Sequence, residues 1–208
     1  AQAPYRLYVP GRFTVFSPET FVKITGNTIS SYPMKGTIDA SLPDAEAQIL
    51  NNQKEIDEHN TIVDLIRNDL NSVATHVELS RYRYVERIET NHKSLLQVSS
   101  EIRGVLPEDW HSRLGEILKK LLPAGSISGA PKPKTLEIIK AVEGSSRGYY
   151  TGVMGIYDGK SLDSAVMIRY VEQTPEGLVY HSGGGITVNS RAEEEYQELI
   201  DKVYVPSV

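Results

Sequence analysis

The sequence contains no cysteine. A disulfide framework, a zinc–thiolate centre and a thiol nucleophile are therefore excluded. Any metal must be held by carboxylates, imidazoles or carbonyls, donors that suit a hard ion such as Mg2+. Long apolar runs are also missing: none approaches the roughly 18 residues of a membrane span. Neither sign of charge dominates, since 22 Lys+Arg against 27 Asp+Glu leave a formal net charge of −5. A mildly acidic chain lacks the basic face that a nucleic-acid backbone rewards. The five histidines, His59, His76, His92, His111 and His181, show no metal-ligand spacing. There is no internal repeat, low-complexity tract or charge block, and the opening Ala1-Gln2-Ala3-Pro4-Tyr5 has no targeting pattern. A soluble cytoplasmic protein with no nucleic-acid or membrane partner is expected. The opening lacks an initiator methionine, so the gene product can begin earlier.

What is present describes one globular domain over 1–208. Hydrophobic residues make up 39% of the 208 positions, and 16 glycines add to them, an ordinary globular balance that excludes disorder, collagen and coiled coil. Residues 5–16 read as extended. Phe21 to Ile24 turn at Gly26-Asn27 into Thr28-Ile29-Ser30, a hairpin. Residues 32–37 read as an irregular loop. Residues 44–70 read as one long helix, with Glu58, Ile62, Leu65 and Asp69 on one stripe. Helices are also expected over about 112–121, from Pro131 to Val142, and over about 191–204. Between the last two the period changes to two. Three antiparallel strands are expected there, 150–157, 162–171 and 178–181, with turns at Asp158-Gly159 and Pro175-Glu176-Gly177. The mixture predicts an α+β fold of antiparallel sheets packed together with flanking helices.

Several places could carry chemistry. The run from Ala124-Gly125-Ser126 to Gly129-Ala130-Pro131-Lys132 leads into a helix, where free N–H groups favour an anion; a plain loop-to-helix junction fits it equally. Gly183-Gly184-Gly185 lets backbone approach a ligand, or simply ends a strand. Glu195 and Glu198 are three apart on the last helix, and Glu58 lies on an otherwise apolar stripe. Two helices could thus offer carboxylates to one hard cation, although a solvated acidic face is the plainer reading of any single glutamate. Arg169 sits among Val166-Met167-Ile168 and Tyr170, where an arginine usually meets a carboxylate. Lys35, taken alone, reads as a surface lysine.

These pieces occur together and in order in the chorismate-utilising enzymes, and the chain resembles their catalytic domain. The resemblance is carried by Ser17-Pro18-Glu19, Pro33-Met34-Lys35-Gly36-Thr37, Glu58-His59 through Asp64 to Arg67-Asn68-Asp69, and Gly125 to Lys132. It continues through Arg147-Gly148-Tyr149-Tyr150-Thr151-Gly152, Ile168-Arg169, Gly183-Gly184-Gly185-Ile186 and Glu195-Tyr196-Gln197-Glu198. One position divides that family. Anthranilate, isochorismate and salicylate synthases carry alanine where this chain has Lys35, and aminodeoxychorismate synthases carry lysine. The chain is therefore similar to aminodeoxychorismate synthase component I, of the 4-aminobenzoate and folate pathway.

The resemblance implies Mg2+-dependent amination of chorismate, a transfer of an amino group, with ammonia supplied by a glutamine amidotransferase subunit. It implies Lys35 as a covalent nucleophile, neutral when it attacks, and Glu19 as general acid for the departing hydroxyl. Glu58 and Glu198 are implied as Mg2+ ligands with Glu195 close by. Gly129, Ala130, Tyr150, Arg169, Gly183, Gly184, Gly185 and Lys202 are implied around the substrate carboxylates. The chain departs from the pattern at Gln97, where the family has a histidine, and at Tyr170, where it usually has threonine. It is also shorter at its N-terminus, so the chain is expected to be either part of a longer protein or a minimal variant. Two other readings stay open, an anthranilate synthase component I and an inactive chorismate-binding paralogue.

Overall fold

A computed structural model describes residues 3–89, 94–188 and 190–203. Its strands are Tyr5–Val9 (β1), Phe13–Ser17 (β2), Thr20–Thr25 (β3), Thr28–Ser31 (β4), Met34–Asp39 (β5), Thr75–Glu89 (β6), Ser94–Val105 (β7), Val153–Tyr157 (β8), Ser161–Val166 (β9), Tyr170–Thr174 (β10) and Gly177–His181 (β11). Its helices are Ala45–Asn51 (α1), Gln53–Asn71 (α2), Leu114–Leu121 (α3), Gly125–Ser128 (α4), Lys132–Glu143 (α5) and Ala192–Asp201 (α6), with a 3-10 turn at Trp110–Arg113 before α3. The smaller sheet has the order β1-β2-β10-β11. The larger runs β5-β7-β4-β3-β9-β8, with β6 also on β7. All pairings are antiparallel, as an α+β fold requires. β7 organises the larger sheet. β6 pairs with it from Ser94 to Val105, while β5 reaches it over residues 95–99 and β4 over 102–105.

The main core lies between the larger sheet and the helices. Ile24, Ile29, Ile102, Leu106 and Trp110 pack there with Val63 and Leu70 of α2 and Ile117 and Leu121 of α3. Each such side chain taken from water contributes about 1.5–3 kcal/mol. A second, smaller core joins Phe13, Val15, Met167 and Tyr170.

The structure corrects several sequence expectations. Residues 5–16 are a hairpin, not one extended run, because Gly11 takes the left-handed φ of +72° that closes the turn. The expected loop at 32–37 is mostly strand β5, bulged between Met34 and Thr37, with Gly36 at φ +86°. The expected long helix breaks at Asn52, whose extended backbone ends α1 and whose side chain caps α2 at the Glu55 N–H. The expected strand 162–171 is two strands. Its first half, β9, belongs to the larger sheet and its second half, β10, to the smaller, so the chain turns a corner at Met167–Arg169, with Arg169 at φ +52°. The β6–β7 hairpin was not anticipated at all.

Candidate active site

Two of the predicted residues, Glu19 and Lys35, line one cleft. Its walls include Glu19, Lys35, Ile62, Ile66, Asp69 and Ser126, around about 640 Å3 of space open to solvent. Each wall has a local cause. Glu19 follows Pro18, which ends β2, and precedes β3. Its N–H is held by Ser17 Oγ at 3.1 Å, and its carbonyl accepts from the Val166 N–H of β9 at 3.1 Å. Lys35 stands at the β5 bulge. On α2 the buried face is His59, Val63 and Leu70, so the stripe of Glu58, Ile62 and Asp69 lies at its border, turned to the cleft.

Glu19 and Lys35 are the two predicted catalytic residues, and both line the cleft. Burial pushes the Glu19 carboxyl up, and the Ser126 hydroxyl, which donates to Glu19 Oε1, together with the charges of Arg169 and Lys35, only partly offsets it. An upward shift of a carboxyl favours its protonated form, the form a general acid uses. Lys35 Nζ donates to Glu58 Oε2 at 3.4 Å. His59, beside Glu58, is fully buried and bonds Ser100 Oγ at 2.7 Å through Nε2. Burial, with the charges of Arg83 and Lys35, lowers it to about 4, so it is a neutral core group.

The glycine loop forms the facing side. A Cβ on Gly185 would stand 3.8 Å from Lys35 Nζ, one on Gly184 3.5 Å from Glu195 Oε2, and one on Gly183 2.7 Å from the Tyr150 hydroxyl. Tyr150 makes tilted ring contacts with Tyr170 and His181, which also meet each other edge to face, and His181 is held by Glu172 at 2.8 Å. Lys202 closes the end of α6. Its Nζ donates to the Gly183 carbonyl at 3.3 Å and to Glu198. Lys35, Arg169 and Lys202 thus supply three cations around a backbone able to approach closely, a setting for an anionic ligand.

The carboxylates implied as metal ligands do not form a ready cage. Among the described residues no three of His, Asp and Glu converge on one ion position. Glu58 faces Lys35, Glu198 faces Lys202, and Glu195 accepts from Ser190 Oγ at 2.5 Å. The donor set still suits Mg2+ in kind: hard carboxylate oxygens on two helices, two of them already neutralised by a lysine ammonium where a cation would sit.

Other placements differ from the sequence reading. Gly129 and Ala130, at the end of α4, lie outside the cleft lining, as do Tyr150, Arg169, the Gly183–Gly185 loop and Lys202; Gly125 and Ser126 are part of it. Ser126 was missed because a lone serine in a small-residue loop carries no signal. Glu55 was missed too, although its carboxylate lies 3.2 Å from where a Gly36 Cβ would be; its position one helical turn before Glu58 was the available clue. Gln97 pairs with Thr37 across β5–β7, two residues from Lys35 along that strand. His92 lies outside the described residues.

Comparison with known proteins fits this geometry. A protein described as PabA-like and uncharacterized, from Pasteurella multocida, is 62% identical over 98% of this chain and 63% of its own length. Aminodeoxychorismate synthase component 1 of Salmonella typhimurium is 34% identical over 97% of this chain and 47% of its own. The crystal structure of anthranilate synthase component I from Streptococcus pneumoniae superposes with a TM-score of 0.81 at 29% identity, over 96% of this chain and 45% of that one. The chain thus spans about half to two thirds of the length of the relatives it matches. Residues 1–207 match the family described as chorismate binding enzyme, and the chain belongs to that family.

Proposed function

We propose that the protein aminates chorismate to 4-amino-4-deoxychorismate, drawing ammonia from a glutamine amidotransferase partner and feeding 4-aminobenzoate formation. The observation that carries the reading is Lys35, a lysine on a bulged strand in the same cleft as a half-buried Glu19 whose carboxyl is pushed up by desolvation.

The chemistry uses the two as a pair. Lys35, once it has given up its ammonium proton, attacks C2 of chorismate, the ring double bonds shift, and the C4 hydroxyl leaves with the Glu19 proton as water. Ammonia then adds at C4, and the electrons return through the ring to expel the Lys35 amine. Two displacements replace one difficult substitution. Tyr150, Arg169, Lys202 and the Gly183–Gly185 backbone would bind the two substrate carboxylates, with Gly129 and Ala130 as the weakest members of that set. Glu58, Glu195 and Glu198 would hold Mg2+, which supplies Lewis-acid binding of the ring carboxylate when present.

Product analysis tests the reading. The protein incubated with chorismate, Mg2+ and an ammonium salt should yield 4-amino-4-deoxychorismate. Anthranilate as the main product would replace this assignment with the alanine-type reaction, and no consumption of chorismate would mark a binding protein only.

A further inference from the structure

The salt bridge between Lys132 Nζ and Asp69 Oδ2 has no part in the chemistry above, yet it is 2.7 Å long with both side chains more than four-fifths buried. Asp69 ends the cleft-facing stripe of α2, and Lys132 opens α5. A second bond, from Lys132 Nζ to the Leu121 carbonyl at 3.3 Å, ties in the end of α3. Between Leu121 and Lys132 runs α4. It is pressed onto α2 so closely that a Cβ at Gly125 would lie 3.2 Å from Asp69 Oδ2 and 3.2 Å from Leu65 Cδ2. The next residue is Ser126, whose hydroxyl reaches Glu19.

A buried ion pair is a poor source of net stability, because desolvating two charges offsets most of their attraction. What it supplies is one docking geometry. We propose that Asp69 and Lys132 are positioning residues for Glu19: their ion pair seats α4 on α2 so that Ser126 donates to the Glu19 carboxyl. The inference rests on the reading of Glu19 as the acid. Five residues from three separate segments then form one chain, Lys132 to Asp69 to the Gly125-Ser126 step to Glu19. It sets which oxygen of the acid is engaged and leaves the other free for a leaving group. The remaining charges facing Glu19 are Lys35 from β5, which pairs with Glu58, and Arg169 from the β9–β10 corner.

The test is a titration of the Glu19 carboxyl in the full chain by 13C NMR with labelled glutamate, its signal identified by loss in Glu19→Gln. Ser126→Ala should raise the midpoint, since that bond favours the carboxylate. Lys132→Met and the near-isosteric Asp69→Asn should raise it in the same direction, and Lys132→Arg should restore it. On turnover, the first two pair variants should lose kcat about tenfold with little change in KM, since one hydrogen bond to a charged group is being disturbed. Midpoints unmoved by Asp69→Asn and Lys132→Met while Ser126→Ala shifts them would overturn the positioning role, and an unmoved midpoint in Ser126→Ala would overturn the chain at its last link. Because the titration uses free protein, it stands or falls separately from chorismate turnover.

Discussion

Glu19 stands at the entry to β3, Lys35 on β5 and Glu58 on α2, elements whose other faces belong to the main core or to the sheet around β7. Glu195, Glu198 and Lys202 stand on or beside α6, which has no buried residue, and the loop before it exposes Ile186 at 74% and Val188 at 98%. Lys35 is therefore flanked by one side that is over-determined and, across Gly185, one that is lightly held. Bond making requires sub-ångström placement, which packed elements supply. Binding and releasing a charged ring requires a side that can open at low cost, and segments with few buried contacts open first. The same contrast explains the ion pairs. On the packed side Lys132–Asp69 is largely buried. On the light side Lys202–Glu198 is a single-turn helical pair at the surface, worth a few tenths of a kcal/mol.

The largest effect should come from the packed wall. Lys35→Ala should abolish formation of 4-amino-4-deoxychorismate and turn any residual product into anthranilate by direct attack of ammonia at C2; separation of products by liquid chromatography checks it. Undiminished 4-amino-4-deoxychorismate would remove Lys35 from the mechanism.

Glu19→Gln should lower kcat by about 10²–10⁴, the usual worth of a general acid. It also makes a stability prediction of defined sign. The folded Glu19 carboxyl is held above its unfolded value, so its contribution to stability is fully present below the ordinary carboxylate range. That contribution is lost as pH rises through the raised value. Thermal unfolding should then find Glu19→Gln gaining on the unmodified protein as pH rises above the ordinary carboxylate range, with the gap smallest at the acid end. A gap that widens toward acid would mean that the carboxylate, not the acid, is the favoured form.

Stability should separate the two walls as well. Leu70→Ala removes a side chain 1% exposed in the main core and should cost about 2–5 kcal/mol in denaturant unfolding. Ile200→Ala on α6, at 48% exposure, should cost under about 0.5 kcal/mol. Comparable losses would show that α6 is packed as tightly as the sheet.

The glycine loop allows a finer gradation. An added methyl would clash at Gly183, 2.7 Å from the Tyr150 hydroxyl, and would meet ordinary contact at Gly185, 3.8 Å from Lys35 Nζ. Gly183→Ala should raise KM for chorismate about tenfold, Gly185→Ala much less, and Gly183→Ala with Tyr150→Phe should recover part of the loss. Equal effects at both glycines would argue that the loop does not sit as described.

The sequence showed the light wall better than the packed one. Gly183-Gly184-Gly185, Glu195, Glu198 and the α6 helix are local patterns, readable from spacing. The packed wall depends on contacts far apart in the chain. The β6–β7 hairpin escaped notice because bulges near His76, Arg81 and Arg83 break its alternation, and because β7 is buried on Val98, Ser99, Ser100, Glu101 and Ile102 in succession, with no period to detect. Lys35 read as a loop residue because Pro33 and Gly36 are breakers in sequence, while pairing with β7 makes the segment a strand. Arg169 read as mid-strand because nothing local marks a corner between two sheets. Ser126 and Lys132 gain meaning only when α4 is seated on α2.

The central claim is that Lys35 bonds to the substrate ring. Incubating the full chain with chorismate and Mg2+, without ammonia, and then measuring intact and digested mass tests it most directly. The account predicts an increment of chorismate less one water, mapped to Lys35 and absent in Lys35→Ala. Protein that consumes chorismate to 4-amino-4-deoxychorismate once ammonia is added, yet never shows that increment at Lys35, would contradict it.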